Sequence, residues 1–568
     1  MPDRAIPKTI LSNGLLGVGL DESGSLVSLV WPGTGGIEQT GVLDRDGRGI
    51  AGHWGIDFGG GISWLDSPDW EVDHTNTDPA GRFTVTESRH RELGVEAGQW
   101  CLTKKTKIGV WFGLEIRGAS KVPRVYWQCA VVPGTGHVPG VPLAGPLFPA
   151  SAGFAGFVSD DGQALYTFRP GHVSGSEWER ARRMVAQGSG ESAWDVFGGG
   201  TWVAMGSSLV RRAVFTTDTA EQGSRVSLAK EPMLLELRPL GESKLCRAGI
   251  GISFADGREK ARSSVGLLGA DVWDPLEFAN AMTEKDRSLR LLHQSLDSAS
   301  GIVVALPCGR PPLAFSWPVL GAWAALAFSL NGAHDQAERQ LEALLGAVNP
   351  EDAPDVPAGS IAPLLRTDGT PAFPAGVFNS ADTAWVLLAL RDVTAPWPKE
   401  TRKGFAARHW AKIETMADFL LRWSDMATGR PIPGFDWERR RDASTFEMLL
   451  LHLLASGAAE DLAALSGRET PPEWTDWKRG LDAQVRFALA NQRDETPLTT
   501  ALGGWLALHP DVALPPLFRG NVMAGQAVPF ESVVELRRIM IGYLRGIKGR
   551  NALDAAFGAV FSGMAEPE

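Results

Sequence analysis

Arg430-Pro431-Ile432-Pro433-Gly434-Phe435-Asp436-Trp437-Glu438-Arg439-Arg440-Arg441-Asp442-Ala443-Ser444-Thr445-Phe446 is a polar, turn-rich stretch set between two apolar runs. Pro431, Pro433 and Gly434 interrupt any helix there. The runs on either side, 405–423 and 446–459, repeat their apolar residues at helical spacing. The stretch is therefore an interhelical loop of an all-α domain. Loops held by a rigid scaffold are where working side chains concentrate, which makes Trp437 and Glu438 candidates. The competing reading is a solvated loop with a salt-bridged glutamate.

Outward from this loop the helical pattern continues. Apolar runs at 321–346, 382–392, 474–490, 499–508, 531–545 and 552–561 all read as helices. Between them lie long loops rich in proline, notably 349–374 and 469–473, of the kind that builds binding surfaces. Upstream, 274–297 reads as a linker helix with Asp274 as N-cap and Pro275 in its first turn. Before that the pattern changes character. From Leu11 to Gly257 short alternating runs such as 83–86, 210–217, 226–229 and 234–237 are separated by Gly, Pro, Asp and Ser clusters. This is the mark of a large antiparallel sandwich. The expected organisation is a β-sandwich over 1–257, a linker with a helix over 258–299, and a helical domain over 300–568. Gly59-Gly60-Gly61 and Gly198-Gly199-Gly200 lack the following helix and lysine of a phosphate loop and read as turn glycines.

Composition narrows the function. The net charge of −11 is spread along 568 residues, which disfavours nucleic acid and anionic membranes as partners. Met1-Pro2-Asp3-Arg4 leads into mixed sequence without a signal-like apolar core. No window is read as a bilayer span. A cytoplasmic protein is expected. Cys101, Cys129, Cys246 and Cys308 show no ligand spacing and read as buried small hydrophobes. The histidines form no ligand set, so neither a metal nor another cofactor is expected. The 21 tryptophans against three tyrosines supply flat apolar faces that suit cores and sugar-stacking clefts.

Several strings, in this order, resemble glycoside hydrolase family 15, the glucoamylase-like enzymes of bacterial and archaeal type. They are 11–18 with Asp21, Gly24 and Trp31-Pro32; 288–296 with 301–305; Ser316-Trp317-Pro318 with 321–327; 382–390; and Trp437-Glu438 with Arg440 and Thr445-Phe446. The resemblance implies a β-supersandwich followed by a six-hairpin (α/α)6 barrel, trimmed after Phe446, whose pocket takes the non-reducing end of a saccharide. It implies inverting hydrolysis of α-glucosides, in which an acid protonates the leaving oxygen and a second carboxylate activates water. By the match Glu438 is the general acid, its proton favoured by packing against Trp437. Trp317, Asp382, Trp437 and Arg440 are substrate-binding candidates. Asp382 reads equally well as an N-cap, and Arg440 as a solvated charge.

The sequence departs from the family where recognition and base catalysis reside. Val319-Leu320 stand where the family has an Arg-Asp pair that clasps sugar hydroxyls, so another ligand, or none, is expected. Gly525-Gln526 stand where the base is expected. Glu531 is the substitute, against its reading as a first-turn helix charge. His53 and Trp54 could reach the barrel mouth from the sandwich, with a satisfied structural histidine the simpler reading. His334 and Asp335 read as a cap or turn. Three functions follow: a glycosidase with an atypical pocket, an acid-initiated lyase or cyclase on the same fold, and a non-catalytic carbohydrate-binding protein.

Overall fold

The computed structural model describes residues 7–562 apart from 32–36, 39–42, 44–48, 78–81, 105–106, 132–154, 171–175, 177–179, 181–182, 184–199, 217–223, 228–231, 269–283, 298, 306–314, 355, 368, 373–375, 426–429, 433, 436–445, 492–498, 510–519, 522–528, 531–532 and 546–550. Asp274, Pro275, Cys308, Trp437, Glu438, Arg440, Gly525, Gln526 and Glu531 lie outside the described residues. The chain divides into two compact units, Met1–Ala281 with Leu306–Ala314, and Met282–Ala305 with Phe315–Glu568.

The first unit is an antiparallel β-sandwich. One nine-stranded sheet runs through Thr9–Ser12, Gly17–Leu20, Leu26–Trp31, Gly52–Asp57, Arg124–Cys129, Met233–Leu237 and Val210–Phe215. The other, ten-stranded, is centred on Leu245–Ala255, Gly109–Arg117, Glu96–Thr103 and Phe83–His90. Alternation along Gly109–Arg117 sends Phe112, Leu114 and Ile116 into one buried cluster with Trp54, Trp127 and Leu235 of the facing sheet. Trp54 and Trp127 meet edge to face with centroids 4.9 Å apart. The alternate residues of the Gly109–Arg117 strand, Trp111 and Gly113, belong to the opposite face, where Trp111 clusters with Trp100 and Phe83. Gly113 is required there, since a Cβ would stand 2.2 Å from the Trp100 indole. Cys101, Cys129 and Cys246 are free and buried, and burial pushes the Cys129 thiol up to about 12. They are small core residues. The stretch after Gly257, read as linker, forms helix α1 (Arg258–Leu268).

The second unit is helical: α2 (Glu284–Ser295), α3 (Pro318–Leu330), α4 (His334–Gly346), α5 (Ser380–Thr394), α6 (Lys399–Arg408), α7 (Trp410–Arg422), α8 (Phe446–Ser466), α9 (Pro472–Asn491), α10 (Thr500–Leu508), α11 (Val533–Arg545) and α12 (Ala552–Phe561). Two runs read as single helices are each broken. The run 321–346 turns back at Asn331-Gly332, where Gly332 takes φ 78° and its amide bonds Ser329 O at 3.1 Å. The run 405–423 breaks at His409, which ends α6 and caps α7. Apolar spacing carries across both breaks, so periodicity alone does not register them.

The reading that no window could span a bilayer also needs correction. Helix α8 is long and apolar enough, but 67% of its apolar window is buried inside this unit, against α5, α6, α7 and α9. A helix apolar on nearly all sides, buried among others, is a core helix.

Five helices, α3, α5, α8, α10 and α12, run parallel. At one end, the C-terminal one, Ser329 of α3 donates to Val393 O of α5 at 2.6 Å. Asn331, just after α3, donates to Ala559 O of α12 at 3.3 Å, and Trp505 of α10 donates to Asp392 of α5 at 2.7 Å. At the other end, Ser380 and His452 join the starts of α5 and α8 at 3.2 Å. Glu447 of α8 meets Thr499, the N-cap of α10. The intervening helices pack against these inner ones as an outer layer, α4 on α3, α9 on α8 and α11 on α10. This is the α/α architecture expected after a β-sandwich.

Candidate active site

The parallel arrangement collects five helix N-termini at one end of the unit. Trp323, Trp385, Trp505 and Phe557 are each the sixth residue of their helix, and Leu451 holds the same position in α8. All are buried. Trp505 stands edge-on to both Trp323 and Trp385, centroids 5.1 and 5.3 Å away, and Trp323 to Phe557 at 4.8 Å. At 1.5 Å per residue this aromatic layer closes the axis about 7–8 Å below the N-terminal rim. What lies above it is set by the first three residues of each helix and by the loops that lead in.

Asp382 is the third residue of α5. Its N-cap reading is corrected: Asn379 caps the helix, its side chain accepting from Ala381 N at 3.0 Å. An acid at this position often bonds back toward its cap. Asp554 of α12 does so, accepting from the Asn551 side chain at 3.2 Å. Asp382 has no such partner among the described residues. Part of its surface is open, yet protein surrounds it closely enough that burial pushes its carboxyl well above the usual range. A helix N-terminus favours a carboxylate, so desolvation outweighs the dipole here.

Glu447, the second residue of α8, is half-buried. It accepts from Thr499 N at 3.0 Å and from the Thr499 hydroxyl. Burial raises its carboxyl and the Thr499 bonds oppose the rise. His452 lies a turn farther in, fully buried, and burial holds it at about 3. Ser380 donates its hydroxyl to Ile432 O at 2.8 Å, so its oxygen accepts from His452 Nε2. That assignment leaves Nδ1 as an acceptor with no hydrogen-bond partner.

The described residues on either side of Trp437 and Glu438 are held here. Ile432 is held by Ser380, and Phe378-Asn379 pair with Gly434-Phe435 just before α5. On the far side Phe446 opens α8. Trp317, a half-buried residue, is the N-cap of α3. Val319 is half-buried beside it, and Leu320 points into the core at 0% exposure. The structure thus brings Trp317 and Asp382 to one rim. Sequence reasoning missed Glu447, Ser380 and His452. Glu447 follows Phe446 directly, but nothing local signals that Thr499, 52 residues on, is its partner.

Other candidates are placed elsewhere. His53 is buried in the sandwich, Nδ1 2.7 Å from Asp66 and Nε2 3.3 Å from Gln128, stacked on Trp64 at 4.1 Å. Both nitrogens are satisfied, and Trp54 is core. His334 and Asp335 are the first residues of α4. The C-terminal end of the inner helices holds Asp392. Burial opposes its charge, but hydrogen bonds with His509 and Arg391 prevail and lower it to about 2. Among the described residues no group of three or more His, Cys, Asp or Glu could hold a metal.

Sandwich and α/α unit together have the architecture of the six-hairpin glycosidases. A bacterial glucoamylase solved with acarbose superposes with a TM-score of 0.57 at 11% identity, covering 86% of this chain and 68% of that one. A protein provisionally assigned as a kojibiose phosphorylase, from the human microbiome, gives 0.46 at 9% identity over 84% and 67%. A mannosylglycerate hydrolase of Thermus thermophilus gives 0.32 at 11% over 50% and 100%. The fold likeness rests on the first; the other two are too loose to add to it. No family model and no curated protein matches the sequence.

Proposed function

We propose that the protein is a glycosidase that takes the non-reducing end of an α-glucoside or related glycoside at the N-terminal rim of the inner helices. In this reading Glu438 is the general acid and Glu531 the candidate for activating water. The observation that carries it is the anchoring of the Trp437-Glu438 loop: its leading edge is tied to the start of α5 and its trailing edge opens α8. Glu438 follows Phe435 by three residues, a chain length of about 10 Å at most, which supports the acid's acting near that anchored pair. Asp382, with no partner among the described residues and its proton favoured by burial, offers both a donor and an acceptor to a sugar hydroxyl. Trp317 at the same rim supplies an aromatic face of the kind that stacks on sugar rings. The glucoamylase whose fold this chain shares was solved with acarbose, which supports a saccharide as the class of ligand.

Glu438→Gln tests the reading. Against a panel of α-glucosides and deoxy analogues the variant should lose about 100-fold or more of the wild-type rate, the usual worth of general acid catalysis. Turnover in heavy-oxygen water should place one label in the product. Unchanged turnover removes Glu438 from the mechanism, and unlabelled product points to elimination or cyclisation. A second reading, saccharide binding without catalysis, is favoured by Val319-Leu320, because Leu320 is committed to the core and no charged clasp stands at that position. Calorimetric binding with no turnover by the wild type would select it.

A further inference from the structure

The long loop between α4 and α5 carries a charge that the site as described does not use. Leu365 and Ser316 pair in both directions, with N···O distances of 2.7 and 2.9 Å. The next residue, Arg366, closes a tight turn: its amide bonds Thr370 O at 2.8 Å and its carbonyl accepts from Gly369 N at 3.0 Å. Ser316 immediately precedes Trp317, so this turn stands at the start of α3. The same loop also reaches α5, where Thr383 donates to Gly359 O at 3.2 Å. Gly359 has φ 84°, and a Cβ there would lie 2.2 Å from Thr415 O, so the crossing is tightly constrained. The loop therefore runs over the rim with Arg366 beside α3 and Asp382, next to Thr383, on α5.

Arg366 is half-buried and has no ion pair or side-chain hydrogen bond among the described residues. Glu447, another rim carboxyl, is committed to Thr499. Asp382 is held toward its neutral form by burial and so does little to offset the guanidinium. Five helix N-termini add partial positive charge on the same side. A half-buried guanidinium with no partner among the described residues, set beside helix N-termini, attracts an anion, and its planar fork fits a carboxylate through two parallel hydrogen bonds.

We propose that the sugar taken at this rim carries a carboxylate, as a uronic acid does, and that Arg366 is the residue that recognises it. The inference rests on the reading of the rim as a saccharide site and adds the class of sugar. It also accounts for Val319-Leu320: an acidic sugar is held by a charge on the loop, and the start of α3 is left apolar.

The test compares maltose with the disaccharide whose non-reducing glucose is replaced by glucuronate, by calorimetry on the full chain. The acidic disaccharide should bind at least about tenfold tighter in about 20 mM salt, and the preference should shrink severalfold in about 300 mM salt as screening shortens. Arg366→Gln should abolish the preference, while Arg366→Lys, keeping charge without the fork, should retain part of it; melting curves establish that both variants fold. Maltose binding as tightly as the acid, or a preference that survives Arg366→Gln, overturns the inference and leaves the saccharide reading standing. Binding of neither disaccharide overturns both.

Discussion

Burial without a partner governs how Asp382 behaves. Its native carboxyl lies above the unfolded value, so the native state holds a proton that the unfolded chain releases as pH rises. The stabilising contribution is complete below the unfolded value, near 4, and is lost as pH rises through the native one. Asp382→Asn removes the penalty of ionising in place. It should raise Tm at pH 8 by roughly 2–4 °C, the effect of about 1 kcal/mol in a domain of this size. The gain should vanish near pH 4, which differential scanning calorimetry at the two pH values would check. A Tm that falls at pH 8 would mean that Asp382 has a structural partner. Sites that keep an unsatisfied group commonly trade stability for function.

Among elements, the starts of α8 and α10 are tied by one residue pair. Thr499 caps α10, its hydroxyl accepting from Leu502 N at 3.3 Å, while its amide and hydroxyl both serve Glu447. Thr499→Ala should cost about 1–2 kcal/mol, the upper range for a lost cap. Thr499→Ser should recover most of that, read from urea midpoints at constant m-value. Equal loss in both variants would assign the effect to the methyl group's packing. The same scale shows what was legible locally. Helices 499–508 and 552–561 stood out in the sequence because periodicity and caps agree, as with Asn551 and its bond from Asp554 N. Apolar spacing runs through both the hairpin at Asn331-Gly332 and the break at His409; the first was signalled only by the cap-or-turn reading of His334 and Asp335, the second not at all. The N-cap alternative for Asp382 stayed open in the sequence because Asn379 and Asp382 are both good cap residues, and geometry chose Asn379.

For the molecule as a whole, acid is the informative variable. His452 is buried and neutral, with its native value near 3 against 6.5 unfolded. The unfolded chain therefore takes up the proton first, and the stabilisation present above pH 6.5 is lost as pH falls toward 3. The full swing is on the order of 5 kcal/mol. Asp392, near 2, adds a second loss below about pH 4. Unfolding free energy followed by tryptophan fluorescence should decline across pH 6.5 to 3, and His452→Gln should flatten that decline. An undiminished slope in the variant would show that another group carries it.

The order of the chain, strands and then helices, follows from local period and turn chemistry, and so did the sandwich and α/α architecture. Trp317 and Asp382 were legible as candidates because each sits at the start of an apolar helical run. The sequence by itself also determined which charges are present, including Arg366 in its polar turn. Only the tertiary structure decided which of these share an environment. It aligned five helices in parallel, put an aromatic residue at the same depth in four of them, joined Glu447 to Thr499 and left Asp382 without a partner among the described residues. Those relations depend on packing between segments tens to hundreds of residues apart, and desolvation, which sets how a carboxyl or an imidazole holds its proton, exists only once that packing has formed.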